Sequence, residues 1–192
     1  MINKKQGWLK IVVVTVIFTF VVTLCIMQFH FTLMLGLSVL VGGVLLAVGV
    51  IDYETQEIPD GLIVALVPLA VLAVWVWPEV GIISRAIGFF AVSVPLLVLA
   101  LVINGAFGGG DIKLMAVCGF LLGWQNTLLA FFIAVVLGGG WAVYLLASGK
   151  GKRGQHIAFG PALCVGVVAA MLFGEGIVGW YMNFLIIGAV YA

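Results

Sequence analysis

Apolar residues run along this chain in long blocks separated by short polar interruptions. A helix needs roughly 20 apolar residues to cross about 30 Å of hydrocarbon. On that measure the blocks predict spans over 8–29, 31–51, 61–77, 81–103, 112–124, 126–147, 157–173 and 177–192. The fold class is therefore an all-α membrane protein, a polytopic helical bundle of about eight transmembrane helices. The interruptions are the polar stretch 52–60, a Pro78-Glu79 turn, the glycine-rich segment 104–110 and a basic loop with Lys150, Lys152, Arg153 and His156. No small-x-small cleavage site follows the first block, and a second hydrophobic run begins at once, so residues 1–30 read as a signal anchor. With no polar connection longer than about ten residues, 1–192 is expected to be one membrane-embedded domain with its core at about 31–173.

Composition sharpens this picture. Apolar residues make up 65% of the chain and charged residues 8%, against about 45–50% and 25% in ordinary globular proteins. Eight basic and seven acidic side chains cannot coat a water-soluble surface of this size. A secreted soluble enzyme, a nucleic-acid-binding domain and a disordered tail are excluded, and membrane lipid is the surrounding partner. Placing the amino terminus in the cytoplasm puts seven of the eight basic residues on the cytoplasmic side, with Arg85 the exception. Cys25, Cys118 and Cys164 are isolated within apolar blocks, which predicts buried small side chains and no metal site. No cofactor is expected. Trp8, Trp77, Trp124 and Trp180 fall near block ends and read as interfacial anchors. Inside the blocks, Gly42-Gly43, Gly138-Gly139-Gly140 and Gly166 read as points of close helix approach.

Two carboxylates stand out, because an acid at the membrane edge is costly and needs a reason. Asp52 ends the second block and Asp111 opens the fifth. Two complete spans lie between them, and an even number of crossings returns the chain to the side it left. Both acids therefore meet the cytoplasmic boundary, where a bundle can bring them together. Gly108, Gly109 and Gly110 precede Asp111, allowing close approach of another chain and placing the acid near the free N–H groups of a helix start. Glu54, Glu57 and Asp60 share the loop with Asp52 and read as solvated loop residues. Lys113 reads either as a substrate contact or dyad-tuning group, or as a cation snorkelling to the headgroups. Pro161 shapes the start of the seventh span. His30 and His156 fall on opposite sides, so no histidine-based pair is available.

Gly108-x-Gly110-Asp111, followed by Ile112-Lys113-Leu114, resembles the GxGD motif of membrane aspartyl proteases in the form found in type IV prepilin peptidases. Asp52 followed by Ile58-Pro59 resembles that family's first catalytic segment, and Phe159-Gly160-Pro161-Ala162-Leu163 its late Phe-Gly-Pro segment. The three matches stand in the family's order from about 52 to 163. The resemblance implies an aspartic endopeptidase that removes the leader from type IV prepilins or pseudopilins at the cytoplasmic face of the inner membrane. It implies Asp52 and Asp111 as the catalytic pair, with Pro59, Gly108, Gly110, Lys113 and Pro161 shaping the site or binding substrate.

Asp60 departs from the Asn common after Ile-Pro. Many members also carry a cytoplasmic domain with paired Cys-x-x-Cys motifs and an N-methyltransferase role. The short connection between the first two blocks and the lack of such pairs lead us to expect the peptidase-only form, without methyltransferase activity. Two other readings compete. Pro161-Ala162-Leu163 matches the PAL tripeptide of presenilin and signal-peptide-peptidase relatives, although there Tyr precedes the first Asp, whereas Tyr53 follows Asp52. A small proton- or cation-coupled transporter is the other. Both acids map to one membrane edge instead of mid-bilayer, which disfavours it.

Overall fold

Lipid offers backbone N–H and C=O groups no partner, so apolar blocks fold as helices that satisfy their own. The computed structural model describes residues 4–29, 32–103, 107–148 and 158–190. Its helices are α1 (Lys4–Phe29), α2 (Leu33–Thr55), α3 (Asp60–Val76), α4 (Ile82–Ala91), α5 (Ser93–Val102), α6 (Gly109–Leu122), α7 (Trp124–Ala147) and α8 (Gly160–Val190). Among the described residues, five stretches are long and apolar enough to cross a membrane: Lys10–Phe29, Leu33–Thr55, Ile82–Val102, Trp124–Leu145 and Gly160–Phe184. The all-α membrane architecture expected from the sequence holds. His30 and the basic residues of 150–156 lie outside the described residues.

Two elements differ from the sequence-based expectation. Block 81–103 is broken into α4 and α5 at Val92, because Pro95 has no N–H for the carbonyl of Ala91 and its ring crowds that carbonyl. Blocks 157–173 and 177–192, expected as two spans, form one continuous helix, α8. Their separator, Gly174-Glu175-Gly176, contains no proline. A glycine weakens a helix by about 1 kcal/mol without ending it.

Helix α6 is the centre of the bundle and packs against α3, α4, α5, α7 and α8. Its 14 residues span only about 21 Å, and much of its surface is buried, including Leu114, Met115, Cys118 and Leu121. It meets α4 backbone to backbone at Gly119 and Gly88, where a Cβ on either glycine would strike the other's carbonyl. Gly166 of α8 lies equally close to the carbonyl of Ala130 on α7, and Gly42 lies against Val21. Gly139 and Gly140 face open space instead of a neighbouring helix. All three cysteines are buried, as their apolar surroundings predicted. Trp77 is not an interfacial anchor: it is buried beside Phe29, with ring centroids 6.1 Å apart.

Arg85, the one basic residue on the unexpected side, is fully buried. Its Nε donates to the Val80 carbonyl (3.0 Å), Nη1 to Phe120 (3.2 Å) and Leu121 (2.8 Å), and Nη2 to Ala73 and Trp77 (both 2.8 Å). A guanidinium has five N–H donors. Here four of them serve carbonyls at the carboxyl-terminal ends of α3 and α6, where a cation also complements the helix dipoles, and the fifth serves Val80 in the turn before α4. One side chain thus ties two helix ends together.

Candidate active site

At the opposite end of α3 and α6 lies a cleft of about 550 Å³, lined by Ile51, Asp52, residues 55–60 and Gly108–Asp111. Asp52 sits in the last turn of α2, where its own helix dipole disfavours a negative charge. The amino terminus of α8 offsets this: the Gly160 N–H donates to Asp52 Oδ2 at 3.0 Å. A Cβ at Gly160 would come within 2.7 Å of the Asp52 carboxyl carbon, so the contact requires glycine. Past Asp52, Gln56 closes α2 in the left-handed region (φ 57°), with its N–H bonded to the Asp52 carbonyl.

Asp111 occupies the third position of α6, counted from Gly108 as the cap. The Gly108 N–H points to Asp111 Oδ2 at 3.4 Å, and Oδ1 is buried without a hydrogen-bond partner. Both carboxylates are buried, Asp52 at 5% exposure and Asp111 at 8%. Asp111 precedes the apolar part of α6 and lies outside the five spans. Burial, and after it the neighbouring Asp52 carboxylate, pushes its carboxyl up from 3.8 to about 6, against the opposing pull of the Gly108 N–H. Two acids so placed share a proton more readily than they both ionise.

The remaining residues singled out from the sequence divide by position. Gly108, Gly110 and Pro59 line the cleft. At Gly110 a Cβ would lie 2.8 Å from Ile58, so the Ile58-Pro59 turn seats on bare backbone. Lys113 bonds Asp60 Oδ1 at 2.8 Å, both side chains being exposed, and so joins the amino-terminal ends of α6 and α3. Pro161 does not reach the cleft. It packs beside Gly49 and lines an apolar groove between α1, α2 and α8. Glu54 also turns away, pairing with Lys10 of α1 at 2.7 Å, whereas Glu57 and Asp60 line the cleft. Gly160 is a site residue the sequence reading left out, although the Phe159-Gly160-Pro161 segment that contains it carried the signal. The described residues include no cluster of three or more His, Cys, Asp or Glu suited to a metal.

Residues 39–143 match the family model described as the type IV leader peptidase family. The prepilin leader peptidase/N-methyltransferase of Bacillus subtilis is 31% identical over 160 residues, 81% of this chain and 63% of that protein. The proteins of the same name from Legionella pneumophila and Pseudomonas aeruginosa are 31% and 29% identical, each over 82% of this chain and 56% of theirs. The chain thus spans 56–63% of the length of these relatives. No solved structure matches it.

Proposed function

The chain belongs to the type IV leader peptidase family, and we propose that it hydrolyses a peptide bond with Asp52 and Asp111, removing the leader from prepilins or pseudopilins. One observation carries the proposal: the two buried acids, which lie 59 positions apart in sequence, open into one cleft. Between them the pair holds one proton. The ionised carboxylate takes a proton from water, whose oxygen attacks the scissile carbonyl, and the protonated acid donates to the carbonyl oxygen. Collapse of the tetrahedral intermediate returns a proton to the departing amine and breaks the C–N bond. No metal or cofactor enters these steps.

Gly108 and Gly109 leave backbone open to an extended substrate segment, Gly110 being covered by Ile58, and Pro59 lines the same cleft. Lys10 and Lys113 lie at the cleft end of the bundle, paired with Glu54 and Asp60, which supports a cytoplasmic-facing site in the inner membrane. The peptidase unit would be the whole membrane-embedded chain, with residues 31–173 as its core. Prepilin substrates come from the relatives' names and from the motif resemblance. Lipid surrounds the bundle.

The test is co-expression with a prepilin-type substrate, followed by mass spectrometry of the substrate's amino terminus, for wild type beside Asp52→Asn and Asp111→Asn. Leader removal by wild type alone is expected. Cleavage retained by either variant would remove that residue from the mechanism. A cut within the substrate's membrane span would replace leader removal with a presenilin-like specificity.

A further inference from the structure

The two carboxylates receive their backbone donors from two dipeptides of the same composition. Phe107-Gly108 precedes α6 and supplies the N–H aimed at Asp111; Phe159-Gly160 opens α8 and supplies the N–H bonded to Asp52. The two phenylalanines touch each other. Their ring centroids are 5.5 Å apart and their planes are inclined by 71°, an edge-to-face pair. Both rings also pack against the buried core of the bundle. Phe159 is fixed from behind by α7, where a Cβ on Gly138 would lie 2.7 Å from its ring.

The connectivity runs from α7 through Gly138 to Phe159, across the ring contact to Phe107, and along each chain by one residue to the amide that holds a carboxylate. Asp52 and Asp111 sit on different helices, so their relative placement depends on such non-covalent contacts. On the peptidase reading above, we propose that Phe107 and Phe159 are positioning residues. Their ring contact holds the Gly108 and Gly160 amides, and through them the two acids, at the separation proton sharing requires. Neither ring lines the cleft, so a role in substrate contact is not what their placement suggests.

Positioning and simple core packing predict different kinetics. Misplacing reacting groups by about 1 Å costs up to about a hundredfold in rate. Each of Phe107→Leu and Phe159→Leu is expected to lower kcat about tenfold, with KM within about twofold. The double variant should be no slower than the worse single one, because both rings act through one contact. The two limbs of the pH–kcat profile should also draw together, since carboxylates held farther apart share a proton less strongly. The other titratable groups around the pair are Glu57 and Asp60 in the cleft, Lys113 on Asp60, and the thiols Cys118 and Cys164 behind it. All of these are unchanged in the variants.

The experiment uses the full chain purified in detergent, with a prepilin-type substrate and thermal unfolding measured in parallel. Gly138→Ala provides a second route, because it crowds Phe159 from α7 without touching the cleft; it should lower kcat in the same way if a Leu variant does not fold. Unchanged kcat in all folded variants, a change confined to KM, or additive losses with unmoved pH limbs would each overturn the proposal. In those cases cleavage by wild type and its loss in Asp52→Asn would leave the peptidase reading standing. A wild type that cleaves nothing removes both.

Discussion

The two ends of α3 and α6 handle buried charge in opposite ways. At the carboxyl-terminal ends, Arg85 spends all five of its donors on backbone carbonyls. At the amino-terminal ends, among the described residues, Asp52 accepts from the Gly160 amide and Asp111 from that of Gly108, while Asp111 Oδ1 is buried without a hydrogen-bond partner. A fully bonded charge is chemically quiet and works as a fastener. An under-bonded charge is costly to bury, and its unmet bonding capacity is what a water or a substrate carbonyl can use. The difference between structure and chemistry in this bundle lies in how completely each charge is satisfied, since both kinds are buried and both sit at helix ends.

The comparison can be broken most sharply at the acids. Asp52→Asn and Asp111→Asn should each reduce cleavage by about 10³-fold, measured by amino-terminal mass spectrometry, while the protein stays folded. Asp111 binds its proton more tightly in the folded state, at about 6, than at the ordinary 3.8. Its stabilising contribution is therefore complete only below the lower value and is lost as pH rises through the upper one. At neutral pH, Asp111→Asn should consequently match or exceed the wild-type thermal midpoint. Arg85→Met should do the reverse. Stripping carbonyls at two helix ends of their charged donor is expected to cost about 3 kcal/mol or more, read as a lowered midpoint in detergent.

Smaller effects sharpen the same contrast. Gly160→Ala forces a methyl group against the Asp52 carboxylate and should slow cleavage by up to about a hundredfold, with circular dichroism unchanged. In the free protein, kcat/KM should fall as pH rises past about 6, because the pair then loses the proton it must donate. A pH profile with no limb between about 5 and 7 would count against a proton shared by the pair. Least affected should be Lys113→Met. Its ion pair with Asp60 is exposed at both partners and contributes under about 1 kcal/mol.

Much of this was legible in the residues themselves. Apolar block length identified most of the helices, and the parity of crossings brought Asp52 and Asp111 to one end. Glycine spacing and the Ile-Pro pair marked the walls of the cleft. What the blocks hid was decided by partners distant in sequence. Arg85 read as a lone cation on the wrong side, because its five acceptors belong to three separate stretches. Trp77 read as an anchor because the ring that covers it, Phe29, belongs to another helix. Gly174-Glu175-Gly176 read as a boundary because local polarity was weighed without the tendency of an apolar helix to continue. Gly160 was passed over beside Pro161, since the need for glycine there comes from an acid 108 positions away.

The Arg85 fastening has a geometric consequence for the cleft. Helices α3 and α6 pack against each other, pinned at one end by Arg85 and carrying at the other the exposed ion pair of Asp60 with Lys113, beside the seat of Ile58 on Gly110. Two rods held in this way part by pivoting about the pin, and displacement grows with distance from it. Over the roughly 21 Å of α6, a rotation of about 5° moves the amino-terminal end by about 2 Å. A rotation about Arg85 would therefore be felt most at the walls of the cleft, where the ion pair is exposed.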